Sequence, residues 1–111
     1  MTKTTHTTRQ LSPQDLLQLN TNEDFEGIYI CYNCTKNKLH VSFSGSVIQD
    51  AQKLLSGGGN QAVYNDYLNG DNMQITLRPL EGSGLYSLVR MAQHYIDRYG
   101  ANQDDYAPTQ N

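Results

Sequence analysis

The 111-residue sequence predicts an α+β fold, a small α/β sandwich in which a three-stranded antiparallel sheet is flanked by helices. Segments 27–32 and 39–43 alternate between apolar and polar side chains, with the period of two that marks a strand. The polar segment 33–37 between them predicts the turn of a hairpin. Apolar residues recur at helical spacing in 47–55 and in 85–99. The predicted order is strand, strand, helix, helix, strand, helix.

Local signals predict where the remaining elements begin and end. The run Ser12-Pro13-Gln14-Asp15 has an N-cap residue, a proline and an early acid, which together predict the start of a short helix. Ser46 followed three residues later by Gln49 predicts a capping box. A further helix is expected from about Asn60 through Tyr67. Alternation returns in 73–77 and predicts the third strand.

The ends of the chain differ in composition from the middle. The first ten residues include five threonines and almost no apolar side chain, so residues 1–11 are predicted to form a disordered tail. Residues 12–24 are predicted to be a short helix and linker, and residues 25–100 the folded domain. Residues 101–111 are interpreted as a C-terminal tail.

Charge and hydropathy limit the class of protein. The net charge is −3 and the pI is near 5.4, which argues against binding of nucleic acid through an overall positive field. Any contact with DNA is therefore expected to be local and weak, around Lys36 and Lys38. No apolar run reaches the roughly 18 residues that cross a membrane, and the polar start lacks a secretory signal. A cytoplasmic location is the expectation.

Two cysteines stand in the string Cys31-Tyr32-Asn33-Cys34, a spacing that occurs in zinc and redox sites. A zinc site needs four ligands, so His40 and His94 would both have to converge on this pair. Reduced thiols at the end of a strand are the favoured interpretation. No metal ligand and no cofactor is predicted.

Several motifs recur in one order along the chain. The triplet Gly27-Ile28-Tyr29 opens the first strand, and 38–42 follows at the spacing of a second signature. Ser44 and Val47 stand in a Ser-x-x-Val run, 67–70 reads Tyr-Leu-Asn-Gly, and 93–101 begins Gln-His-Tyr-Ile-Asp. In these features the sequence resembles the GIY-YIG nuclease superfamily, whose three-stranded antiparallel sheet flanked by helices matches the fold predicted above.

The resemblance covers roughly residues 25–107 and implies an active site that has largely been replaced. In the family, a tyrosine acts with one divalent metal ion held by a glutamate, and an arginine stabilises the developing charge on phosphate. Tyr29 is kept. By the resemblance, His40 replaces the second signature tyrosine, Ser42 replaces the signature glycine, and Asp50 replaces the arginine.

The C-terminal part of the resemblance adds two more losses. Ala92 aligns with the metal-binding glutamate, and Ala107 aligns with the asparagine that ends the family's Gly-Tyr-Asn motif. No residue is therefore assigned a catalytic role. The remnant of the family's site consists of Tyr29, His40, Asp50 and Ala92.

One face of the predicted sheet carries several polar side chains, and it either lines a pocket or faces solvent. The alternation places on that face Tyr29, Cys31, His40, Ser42, Gln74 and Thr76. The residues predicted to contact a binding partner are Tyr29, His40, Ser42, Lys36, Lys38, Arg90 and His94.

Three functional hypotheses follow. The favoured one is a catalytically inactive GIY-YIG-like module, of phage or mobile-element origin, that acts by binding as a regulator, inhibitor or assembly factor. Its partner is predicted to be a protein, including a second copy in a homodimer, with weak DNA contact as the other option. The alternative is an active endonuclease with rearranged ligands for Mg²⁺ or Mn²⁺, drawn from Glu81, Asp50 or Asp97. The third is a metal or small-molecule module built on Tyr29, His40 and Cys31.

Overall fold

A computed structural model describes residues 8–81 and, beyond them, residues 87, 90, 91, 93, 94, 97 and 106. Its sheet contains β1 (Arg9–Leu11), β2 (Gly27–Asn33), β3 (Lys38–Ser44) and β4 (Met73–Pro79) in the order β1-β4-β2-β3. Every neighbouring pair is antiparallel. The predicted α+β class and the predicted hairpin of β2 and β3 are confirmed.

Among the described residues the sheet has four strands, one more than the predicted three. Arg9 lies opposite Leu77 and Leu11 lies opposite Ile75, so β1 continues the sheet beyond β4. The prediction of a disordered tail through residue 11 is therefore wrong for Arg9–Leu11. Three residues are too few to show a side-chain period, and backbone hydrogen bonds to β4 order them instead.

Helices cover one face of this sheet. They are α1 (Pro13–Leu17), α2 (Val47–Leu54) and α3 (Gln61–Leu68), and a short 3₁₀ turn spans Thr21–Glu23. The Ser12 hydroxyl accepts from the backbone N–H of Asp15 at 3.1 Å, so the predicted cap of α1 is confirmed.

The last helix is described at five positions, all helical: Arg90, Met91, Gln93, His94 and Asp97. The other residues of the predicted helix 85–99, together with its predicted end at Gly100, lie outside the described residues. In the part of the chain that the structure describes, no helix is long and apolar enough to cross a lipid bilayer.

Helix α2 is capped by a residue distant in sequence, not by the predicted Ser46–Gln49 capping box. The Ser46 side chain makes no capping hydrogen bond. Asp24 takes its place: Oδ1 accepts from the backbone N–H of Ile48 at 2.7 Å, and Oδ2 accepts from that of Gln49 at 2.9 Å. The carboxylate also meets the positive end of the helix dipole. The capping box is therefore a wrong prediction.

The core lies on both faces of the sheet. On the face covered by α1, α2 and α3, the larger cluster includes Leu16, Tyr29, Cys31, Val47, Ile48, Ala51, Leu54, Val63, Ile75, Leu77 and Tyr106. On the opposite face, a smaller cluster contains Ile28, Ile30, Leu39 and Met91, so the last helix packs there. Tyr106 belongs to the core although it falls in the predicted C-terminal tail, and that prediction is wrong at this residue.

Candidate functional site

The strand register brings the predicted site residues of β2 and β3 together. Tyr29 lies opposite Ser42, and Cys31 lies opposite His40. Because directly opposed residues of an antiparallel pair project to the same face, these four side chains share one side of the sheet. The sequence predicted this grouping from the alternation of side chains alone.

This face is covered by helices, so it neither faces solvent nor lines an open pocket. Tyr29 is 8% exposed and His40 is 4% exposed. Gln74 and Thr76 are not part of the group, because they lie opposite Tyr32 and Ile30 on the other side of the sheet. Their predicted place beside Tyr29 is wrong. The two-residue period predicts which residues of β4 share a face, but it does not determine which residues of β2 they lie opposite.

A short chain of hydrogen bonds runs from the end of β3 into helix α2 beside Tyr29. The Ser44 hydroxyl donates to Oδ2 of Asp50, and the backbone N–H of Ser46 donates to the same Ser44 oxygen at 2.8 Å. The Ser42 side chain hydrogen-bonds the phenol of Tyr29. Asp50 thus holds the sheet-to-helix connection in place.

These surroundings keep the phenol of Tyr29 protonated. Burial raises the pKa of Tyr29 above its ordinary value, and the negative charge of Asp50 raises it further, while the hydrogen bond with Ser42 opposes the shift. A tyrosine that is to become a nucleophile or a base needs the opposite shift. The local electrostatics therefore disfavour the ionised form.

His40 packs between two aromatic rings. Its ring centroid lies 6.1 Å from that of Tyr29, with the planes tilted by 50°, and 6.5 Å from that of Tyr106 in an edge-on arrangement. These separations fall within the range of favourable aromatic pairs. His40 is therefore an integral part of the packed face and not a side chain at its rim.

The two cysteines lie in different environments. Cys31 is buried with its sulfur 4.0 Å from that of Met73, and burial raises the pKa of its thiol to about 12. Cys34 is exposed, and both are free thiols. A protonated buried thiol is a poor metal ligand and a poor nucleophile.

The donor atoms around Tyr29 do not fit a divalent metal ion. Asp50 contributes a single carboxylate, one oxygen of which already accepts a hydrogen bond from Ser44. Mg²⁺ and similar hard cations take about six oxygen ligands and are bound through carboxylates. Within residues 8–81 and the further described positions, no three His, Cys, Asp or Glu side chains are grouped to hold a metal ion.

A second polar cluster lies at the far end of β2 and was not predicted. The Asn33 side-chain amide is fully buried and donates to Asp71 at 2.8 Å, to the Tyr106 hydroxyl at 2.9 Å and to Asp66 at 3.3 Å. The Tyr106 hydroxyl in turn donates to Oδ2 of Asp66 at 2.9 Å. We call Asn33, Asp66, Asp71, Tyr106 and the adjoining Lys36 the Asn33 network.

Lys36 completes this network, and its side chain remains 43% exposed. Its ammonium lies 2.6 Å from Asp66 and 3.5 Å from Asp71, and its backbone N–H donates to Asn33 Oδ1 at 2.9 Å. The hydrogen bond to Asp66 raises the pKa of Lys36 and lowers that of Asp66. The Lys38 ammonium lies 5.3 Å from the centre of the Tyr106 ring.

Two further predicted binding residues lie apart from this face. Arg90 and His94 are exposed on the last helix, which packs on the opposite side of the sheet through Met91. Ala92, the predicted remnant of the metal-binding glutamate, lies outside the described residues.

The chain was compared with protein-family models, with curated protein sequences and with solved structures. None of the three comparisons found a match.

The Asn33 network was not predictable from local sequence patterns. Its two most distant members, Asn33 and Tyr106, are 73 positions apart, and no local pattern connects them. One signal could have identified Asp66: an acid placed beside Val63 on a short helix, three residues further along the same side. Its burial among polar partners required the fold.

Proposed function

We propose that this chain is a GIY-YIG-like binding module that does not cleave phosphodiesters and acts on a protein partner as a regulator, inhibitor or assembly factor. The observation that carries the proposal is the carboxylate of Asp50, held by Ser44 next to Tyr29. The resemblance implies that a cationic side chain would contact the phosphate group from this position. A fixed negative charge repels the same group.

Access and protonation support the same conclusion. Tyr29 is 8% exposed and packs in the cluster that includes residues of α2, so little of its side chain is open to a phosphate group. Its raised pKa also keeps the phenol in the form that does not attack phosphorus. Both properties suit a tyrosine that stabilises the packing of the sheet on its helices.

The charge distribution favours a protein partner over DNA. Lys36 is engaged by Asp66 and Asp71, and Lys38 lies against the Tyr106 ring. The densest cationic group in the sequence therefore already contacts acidic and aromatic side chains of the same domain. With a net charge of −3, a DNA-binding surface would have to be assembled from the few remaining cations.

An active endonuclease is the second candidate, and one observation favours it. Tyr29 and His40 are in ring contact on the same face, as a nucleophile and a general base would need to be. This candidate requires a metal site assembled from residues that do not meet in the described structure. It also requires α2 to move away from Tyr29.

A cleavage assay run beside a gel-shift assay distinguishes these candidates. Supercoiled plasmid, linear duplex and branched DNA are incubated with the protein and Mg²⁺ or Mn²⁺, and the same DNAs are used for the gel shift at several salt concentrations. The proposal predicts no product above the buffer control and no salt-dependent retardation. Cleavage that disappears in Tyr29→Phe would establish the second candidate instead.

A further inference from the structure

Strand β3 forms one edge of the sheet. It hydrogen-bonds to β2 on one side, and among the described residues no strand pairs with its other side. The opposite edge is β1, which has three residues, whereas β3 has seven, from Lys38 to Ser44. A long edge presents a row of backbone donors and acceptors to which another strand can add.

The edge of β3 has few of the features that prevent such pairing. Its register with β2 runs without interruption from Lys38 to Ser44, so it contains no bulge. It has no proline, and its one charged residue, Lys38, stands at its start. Monomeric proteins commonly protect an edge with prolines, bulges or several charges.

The sequence of β3 is complementary to itself in one antiparallel register. When a two-fold axis passes through Val41, that residue faces its own copy and Leu39 faces Phe43 of the second copy. On the other side of the sheet His40 then faces Ser42, and Lys38 faces Ser44. Apolar side chains thus meet apolar ones, and no like charges stand opposite each other.

The exposure of Phe43 also indicates that the edge of β3 is a contact surface. Its side chain is 49% exposed at the end of β3, opposite Ile28 on the side of the smaller cluster. Leu39 and Val41 belong to that cluster on the same side. Pairing in the register above would place Leu39 of a second copy beside Phe43 and remove this aromatic side chain from water.

We propose that the chain forms a symmetric homodimer in which β3 pairs antiparallel with β3 of a second copy around Val41. The two sheets then form one continuous sheet. This inference rests on the proposed function as a binding module and names a second copy of this chain as a partner.

A charge pair at the two-fold axis tests the register. Val41→Lys places two lysines opposite each other in the dimer, and Val41→Glu places two glutamates there. Each variant alone is expected to lower the association constant at least about tenfold, measured by sedimentation equilibrium over a wide concentration range. An equimolar mixture of the two is expected to recover the dimer, which also shows that both variants are folded.

A second substitution tests the same surface without a buried charge. Phe43→Ser is expected to weaken the dimer by a similar factor, because the side chain is exposed in the single copy and covered in the dimer. Leu68→Ser is the matched control: Leu68 is 61% exposed on α3, away from β3, so its loss should leave association unchanged.

The outcomes separate this inference from the proposed function. A wild-type protein that stays monomeric at every concentration overturns the dimer, as does a mixture of Val41→Lys and Val41→Glu that fails to associate. Equal effects of Phe43→Ser and Leu68→Ser also overturn it. Metal-dependent cleavage of plasmid by the same wild-type sample would overturn the proposed function and leave the dimer standing.

Discussion

The hydroxyl of Tyr106 donates a hydrogen bond to Asp66 across 2.9 Å, and this contact joins a residue near the C-terminus to helix α3. The same hydroxyl accepts from the Asn33 amide at 2.9 Å, so it links α3 to the end of β2. Tyr106 is 3% exposed, and its ring lies against His40. The C-terminal segment is therefore anchored in the core through one side chain.

Removal of the Tyr106 hydroxyl should destabilise the domain. Tyr106→Phe keeps the ring but takes a donor from Asp66 and an acceptor from Asn33, both of which are buried. We expect the free energy of unfolding in urea to fall by about 1–3 kcal/mol. Tyr64→Phe is the control, because the Tyr64 hydroxyl makes no hydrogen bond among the described residues. Equal losses in the two variants would contradict the role assigned to the Asn33 network.

The stability contributed by Asp66 should be lost in acid. Its pKa is lowered chiefly by the hydrogen bond from Lys36 and also by that from Tyr106, while burial opposes the shift. The contribution is fully present above the unfolded-state pKa of about 4 and disappears as the pH falls through the lower folded-state pKa. The free energy of unfolding should therefore fall more steeply below about pH 4 in the wild type than in Asp66→Asn. Parallel pH profiles would refute this assignment.

The cap of α2 predicts that loss of the Asp24 side chain destabilises the domain more than loss of the Ser46 side chain. The sequence pattern alone predicts the opposite order. Asp24→Ala removes the acceptor for the N–H groups of Ile48 and Gln49 and should cost about 0.5–2 kcal/mol of unfolding free energy. Ser46→Ala should cost little, since that side chain makes no capping bond. Thermal and urea unfolding of both variants measure the difference. A larger loss in Ser46→Ala would restore the predicted capping box.

Gly27, which opens the triplet Gly27-Ile28-Tyr29, has a structural role that does not depend on catalysis. A Cβ atom at Gly27 would lie 2.0 Å from the carbonyl oxygen of Arg78, because β2 and β4 approach closely there. Gly27→Ala should therefore destabilise the domain by about 1–3 kcal/mol through backbone displacement. Gly45→Ala is the matched control, since a Cβ there meets nothing within 4 Å. Chemical denaturation of both variants is the measurement, and equal stabilities would argue against the close approach.

The parts of the fold that the sequence predicted are those with a local period. Alternation identified β2, β3 and β4, and Ser12 marked the start of α1. Strand β1 was missed because three residues show no period, and the Asp24 cap was missed because it acts across more than twenty residues of sequence. Contacts of this kind depend on the tertiary arrangement and leave no mark in a short window.

The candidate site was also predicted only in part. The sequence placed Tyr29 and His40 on one face, since a single hairpin fixes both, but it could not tell that α2 covers that face. It also could not show that Lys36 pairs with Asp66 and Asp71, because these acids lie about thirty residues further along. A lysine in a polar turn is ordinarily exposed, as Lys36 is here, and only the tertiary structure reveals its ion pairs.

Titration of the protein with Mn²⁺, followed by nuclear magnetic resonance, tests most directly the proposal that the chain has no catalytic metal centre. A bound Mn²⁺ broadens the signals of nearby nuclei, so an ion at the family's site would selectively broaden those of Tyr29 and His40. Because Asp50 offers one carboxylate that Ser44 already engages, we predict no selective broadening at these residues. Selective loss of the Tyr29 and His40 signals, with nicked plasmid accumulating in the same sample, would contradict the account.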